Sequence, residues 1–242
     1  NILKQIGRIH TYEEFLNTYK MAREIGFNNI NVDLIFALPG ENEDSVAIQV
    51  SEIINLKPEH ISVYSLILED DTPLKRMVDN NEIELPTEDE ERKMYWKINE
   101  LLEENDYKHY EISNYSLQNY ESKHNTDCWE QKEYLGFGVA AHSYYGGKRF
   151  SNVKTIEEYL EKWKYKEIEE EQNKEMMAKE YMMLGLRKID GVSISRFEQK
   201  FQINPLFYFR FEISKLVEEE LIEIDLDNIR LTKKGLDLAN IV

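Results

Sequence analysis

The side chains best equipped for chemistry crowd into one stretch, SKHNTDCWEQKEYLGFGVAAHS, residues 122–143. It holds His124, the sole cysteine Cys128, Trp129 and His142, with Gly136 and Gly138 among them. His124 and Cys128 stand at i and i+4, a spacing at which two donors on one helix can share a metal. Asn125 and Asp127 argue against a helix there, and no second ligand pair follows. The roughly four donors of a structural zinc site are therefore not supplied, and no metal ligand is assigned. An imidazole and an indole beside a glycine-rich loop suit a planar aromatic ligand better, with imidazole able to serve as an axial ligand to a heme iron. The competing reading is a histidine satisfied by packing.

Three charged residues elsewhere raise the same question. Asp33 lies inside the apolar phrase INVDLIFALPG, on the strand face shared by Asn31 and Ile35. A charge in such a strand must be paired or reach a ligand, because burying it alone costs several kcal/mol. Either a structural ion pair or a carboxylate aimed into a barrel interior meets that need. Glu111, in HYEIS, repeats the situation on another strand and reads as a structural or supporting group. Arg8, in IGRIH, could grip a carboxylate with its forked guanidinium or simply lie on the surface.

The elements that must position these residues follow from pattern. TYEEFLNTYKMAREI is a helix opened by a Thr11–Glu14 capping box and stopped at Gly26. NNINVDLIFAL is a strand ended by Pro39-Gly40, Glu43 to Leu56 a helix, and EHISVYSLIL a second strand. A short helix lies in DDTPLKRMVDNNEI. Thr87 and Glu90 cap a third long helix, and YKHYEISNYS is a third strand. Strand–helix alternation predicts parallel strands covered by helices, an α/β layer or part of a (β/α) barrel. Three strands are too few to close a barrel of eight.

Residues 121–155 are turn-rich, and TIEEYLEKWKYKEIEEEQNKE predicts an exposed helical connector with a solvated acidic face. Three helices follow, over EMMAKEYMMLGLRKI, SISRFEQKF and PLFYFRFEISKLVEEELI, and then a hairpin turned at Asp227-Asn228. That order resembles a small winged-helix unit. Charges there are balanced rather than basic, so DNA readout is not expected and protein docking is the alternative use. The expected division is 1–120 for the α/β part, 121–175 for the loop and connector, and 176–242 for the helical, winged part.

Composition narrows the class. A net charge of −17 over 242 residues repels phosphate backbones, so nucleic acid is excluded as a general partner. No apolar run reaches the ~20 residues of a membrane span. One cysteine excludes an internal disulfide framework and fits a reducing, cytoplasmic compartment. The chain opens on Asn1 in a loop-like phrase, so the expectation is a piece of a longer protein.

In order along the chain stand GRIHT, NVDLIFALPG, PEHISVYSLILEDDTPL, YEISNYS, HN--CW, YLGFGVAAHSY and LGLRKIDGVSISRFEQKF. Together they resemble the HemN/HemW branch of radical S-adenosylmethionine proteins, which contains oxygen-independent coproporphyrinogen III oxidases and heme chaperones. The resemblance implies a partial (β/α) barrel segment whose strand ends hold S-adenosylmethionine, followed by a C-terminal helical domain. By motif position it implies contacts to that cofactor from Arg8, Asp33, Ile67 and His142, with Ile67 acting through its backbone. HN--YW is characteristic of the chaperones and is linked to heme, which points to His124 and Trp129; Cys128 replaces the tyrosine. The branch also implies a [4Fe–4S] cluster whose three cysteines lie upstream and outside this chain, so these 242 residues are expected to be inactive alone. The expected partners are heme or a porphyrin and a heme-recipient protein. The alternative is the oxidase, which decarboxylates propionates.

Overall fold

The computed structural model describes residues 2–162 and 166–239, and the chain forms two compact units, 1–121 and 122–242.

In the first unit a short helix α1 (Ile2–Gln5) precedes α2 (Tyr12–Ile25). The Thr11–Glu14 capping box and a left-handed Gly26 bound α2 as the sequence predicts. Strand β1 (Asn31–Phe36), helix α3 (Glu43–Leu56) and strand β2 (His60–Ser65) form one βαβ crossover, with β1 and β2 parallel. Thr72 then caps α4 (Pro73–Asp79), and Thr87 with Glu90 caps α5 (Glu88–Glu103).

The predicted third strand is instead a hairpin, β3 (Lys108–Glu111) and β4 (Asn114–Ser116). Strand β4 folds back and inserts between β2 and β3, antiparallel to both, giving the order β1-β2-β4-β3. A register irregularity between His109 and Glu111 accompanies the tight turn. The run YKHYEISNYS concealed that turn, because Ile112 and Ser113 bring no glycine or proline to announce it.

The strands, expected to be covered by helices, alternate between apolar and polar residues along β1 and β2. Val32, Leu34 and Phe36 of β1, Ile61 and Val63 of β2 and Tyr115 of β4 pack with α2, α3 and α5 through Tyr19, Val46, Val50, Met94, Ile98 and Leu102. The opposite face carries Asn31, Asp33, His60, Ser62, Asn114 and Ser116.

The second unit opens with α6 (Lys123–Trp129). Strands β5 (His142–Tyr145) and β6 (Lys148–Asn152) form a hairpin at Gly146-Gly147. The expected acidic helical connector divides into α7 (Ile156–Lys162) and a strand, β7 (Lys166–Glu171), which pairs with β6; residues 163–165 of that phrase lie outside the described residues. Pairing overrides the helical charge pattern, since β6 offers an open edge.

Helix α8 (Lys174–Gly185), strand β8 (Val192–Ser193) and helix α9 (Ile194–Phe201) follow. The next predicted helix breaks at Phe209 into α10 (Pro205–Tyr208) and α11 (Arg210–Glu218). Strands β9 (Ile222–Asp225) and β10 (Asn228–Leu231) join β8 in a small antiparallel sheet, and α12 (Lys233–Asp237) ends the described chain. The hairpin turns at Leu226-Asp227, one residue earlier than predicted, with Leu226 left-handed.

Candidate functional site

The sheet face of the first unit turned away from this core is a polar platform, exposed at Asn31 and Asp33 and buried at His60, Ser62, Glu111, Asn114 and Ser116. Register places Asp33 beside Ser62, Ser62 beside Asn114, and Asn114 beside Glu111, so one polar row crosses all four strands. At the usual strand spacing the row runs ~14 Å. A carboxylate stands at each end.

Asp33 is exposed, and its Oδ1 accepts from Asn31 Nδ2 at 2.7 Å. The structural ion pair weighed for it is absent: among the described residues no cation reaches it. Glu111 is buried, accepting from the Asn114 side-chain amide and from Ser113 N–H. Asn114 Oδ1 and Ser116 Oγ are buried without a hydrogen-bond partner among the described residues. Buried polar atoms of folded proteins nearly always find a partner, whether a protein group, an ordered water or a ligand.

Behind Asp33 lies a connected network. Asn31 Oδ1 meets His60 Nδ1 at 2.6 Å and accepts from Ser62 Oγ at 3.2 Å, while His60 Nε2 meets Tyr110 Oη at 2.7 Å. Burial lowers the His60 pKa, against the opposing pull of Asp33 and Glu121. The ring is therefore held toward its neutral form.

Arg8 lies exposed in the loop before α2, its backbone N–H tied to Leu3 C=O at 2.7 Å. Ile67 follows β2 and is 75 % exposed. Asp33 and the strand leading to Ile67 are thus neighbours, whereas no hydrogen bond or ion pair joins Arg8 to Asp33. His142, the remaining residue of the expected S-adenosylmethionine set, opens β5 in the second unit with an exposed side chain. Its carbonyl sits against Gly136, where a Cβ would collide with it. That close approach explains the glycine.

The second cluster sits on α6, and here the expectation of a non-helical phrase is overturned. Ser122 caps the helix through Asn125 N–H, and Asn125 and Asp127 are carried inside it. At its end a left-handed Gln131 donates to Glu180 Oε2 at 2.7 Å and to Met177 C=O at 3.1 Å. Glu130 meets Lys132 at 3.1 Å, Lys188 at 3.8 Å and Arg196 at 3.9 Å. Cations here suit a helix C-terminus. Tertiary anchoring at this end outweighs the poor helix propensity of Asn125 and Asp127.

The helix brings His124 and Cys128 together, with Nε2 3.9 Å from Sγ. Burial and the Asp127 charge raise the thiol pKa, so Cys128 is held toward its neutral form. His124 is exposed, its ring edge-on to Tyr134. Trp129, five positions on, lies about 140° around the helix from His124. The Arg187 guanidinium covers the Trp129 ring at 4.6 Å, and the indole N–H is buried without a partner among the described residues. The two residues expected to share one planar ligand therefore point in different directions. His124 is open to a ligand, while Trp129 packs into the unit.

Sequence reasoning passed over His60, Ser62, Tyr110 and Asn114. The signal was present as period-two alternation at the start of HISVYS, where His60 and Ser62 fall on the same face as Asn31 and Asp33.

The chain is similar to known proteins in sequence and in fold. Residues 172–238 match the HemN C-terminal domain. A protein of Lactococcus lactis named heme chaperone HemW is 38% identical over 244 residues, covering 99% of this chain and 64% of the relative. A heme chaperone HemW of Bacillus subtilis is 35% identical, with coverage of 99% and 64%. The chain thus spans just under two thirds of the length of these relatives. Among solved structures, coproporphyrinogen III oxidase (HemN) from Escherichia coli, described as a radical SAM enzyme, superposes with a TM-score of 0.77 at 20% identity, over 99% of this chain and 59% of that one. At that identity the likeness establishes the fold. The mixed α/β architecture expected from sequence is therefore observed, without a closed barrel. Residues 172–238 thus match the HemN C-terminal domain, and along nearly its whole length the chain is similar to proteins named heme chaperone HemW.

Proposed function

We propose that these residues belong to a heme chaperone of the HemW type, which binds S-adenosylmethionine and heme and passes heme to a recipient protein. The observation carrying this reading is the 35–38% identity to proteins named heme chaperone HemW along nearly the whole chain. The HemN oxidase shares the fold at 20% identity.

The polar platform fits S-adenosylmethionine. Asp33 offers a carboxylate oxygen to hydroxyl or amine donors, and Arg8 can receive the methionyl carboxylate. Ile67, just past β2, is the further contact proposed from this unit. Residues for a [4Fe–4S] cluster do not fit here: the chain has one cysteine, and the described residues hold no group of three or more His, Cys, Asp or Glu able to bind a metal ion. In this reading the cluster ligands lie outside these 242 residues. Heme fits α6, where His124 is exposed and able to donate a ring nitrogen to iron. Trp129 supports that helix by packing under Arg187.

Titrating heme into the full-length protein and following the Soret band tests this reading. His124→Ala is expected to lose the imidazole-ligated spectrum and to weaken binding by at least about tenfold, the scale on which even outer partners of metal ligands act. Unchanged affinity returns His124 to a packing role. Decarboxylation of coproporphyrinogen III by the same protein would replace the chaperone reading with the oxidase.

A further inference from the structure

We propose that Asn31, backed by His60 and Tyr110, is the positioning residue of the S-adenosylmethionine site: it fixes one oxygen of Asp33 and leaves the other aimed at the ligand's hydroxyl or amine donors. This rests on the reading of Asp33 given above.

Hydrogen-bond polarity sets the direction of this network. A carboxylate accepts and cannot donate, so Asn31 must turn its NH2 toward Asp33 Oδ1, 2.7 Å away. Its carbonyl oxygen then faces His60 and Ser62. Only a donor can satisfy that oxygen at 2.6 Å, so His60 carries its proton on Nδ1. Nε2 is left as an acceptor, and Tyr110 Oη donates to it at 2.7 Å. Every link from Tyr110 to Asp33 therefore has one direction, dictated by the carboxylate.

The middle of the network is buried: His60 is 6 % exposed and Ser62 3 %. The near end is open, and Asp33 Oδ2 has no partner among the described residues. Three hydrogen bonds hold an asparagine side chain that would otherwise rotate freely, and through it the carboxylate. That is how a binding group is oriented before its ligand arrives. A carboxylate so placed favours ligands that present a hydroxyl or amine donor and disfavours those that present only acceptors.

The test is a double-mutant cycle on S-adenosylmethionine binding, measured by equilibrium dialysis on the full-length protein. Asp33→Ala is expected to weaken binding about 10- to 100-fold, as for a charged hydrogen bond, and Asn31→Ala by roughly five- to tenfold. If Asn31 acts through Asp33, the double variant binds no more weakly than Asp33→Ala alone. Additive losses, or an Asn31→Ala protein binding like wild type, overturn the positioning role while leaving the site in place. A wild-type protein that does not bind, or an Asp33→Ala protein of unchanged affinity, overturns the site and the inference together. His60→Asn retains a donor near the Nδ1 position and is expected to bind like wild type, whereas His60→Leu should match Asn31→Ala. Imidazole nitrogen NMR supplies a readout independent of binding. His60 is expected as the Nδ1–H tautomer, becoming a mixture in Asn31→Ala; a mixture already in wild type contradicts the proposed polarity.

Discussion

His109 shows how one buried ring couples the fold to pH. It stacks on Tyr115 at 4.4 Å with an interplanar angle of 11°, and burial pushes its pKa down to about 4, against small opposing contributions from backbone hydrogen bonds. The native state therefore holds it neutral, while the unfolded chain takes up a proton near the usual value of about 6.5. Between those values the unfolded state binds more protons, so stability is complete above about pH 6.5 and falls as pH drops toward about 4. The depression corresponds to a loss on the order of 3 kcal/mol across that window. His60, also lowered by burial, acts in the same direction. Urea unfolding at pH 7.5 and 4.5 should show this slope, and His109→Phe should flatten it; an equally steep slope in the variant assigns the effect to other groups. At this scale the sequence disclosed Asp33 and its face-sharing partner Asn31, because strand alternation is local. It did not disclose that His60 and Tyr110, 29 and 79 residues beyond Asn31, close the network.

Among the elements, those with a chemical start and stop were legible. Thr11 with Glu14, and Thr87 with Glu90, open α2 and α5 through side chains that reach only three residues along the chain. Thr87→Ala should cost about 1 kcal/mol, read as a lower urea midpoint with an unchanged slope. Elements whose state depends on a distant neighbour were not legible. Strand β7 needs the edge of β6, α6 needs the cations and Gln131 anchor at its C-terminal end, and β4 needs the gap between β2 and β3. Gly191 belongs to the same class. It is left-handed, and a Cβ there would meet Ile229 C=O and the Arg230 side chain and backbone. Gly191→Ala should therefore destabilise the β8–β10 pairing by more than the ~1 kcal/mol of a simple backbone penalty, seen as a lowered melting temperature. A wild-type melt would show that the backbone can move aside.

For the whole molecule, charge is the governing quantity. The net charge of −17 vanishes near pH 4.8, well inside the window in which His109 opposes folding. Solubility is expected to pass through a minimum there and to recover above about pH 6, as self-repulsion returns. Light scattering across pH 4–8 would show it, and a flat profile would contradict the charge argument. Of this charge about −14 falls in the first unit, an α/β layer with a polar sheet row, and about −3 in the second, which contains the match to the HemN C-terminal domain. By itself the sequence determined the helix caps, the βαβ crossover, the placement of Asp33 on a strand and the order of motifs that marks the branch. Each depends on residues a few positions apart, whose geometry the backbone sets. The tertiary structure alone decided the insertion of β4, the helical state of α6, the divergence of Trp129 from His124 and the chain of donors behind Asp33. Those outcomes turn on which open edge, charge or carbonyl a residue meets across the fold, and spacing along the chain carries no record of that meeting.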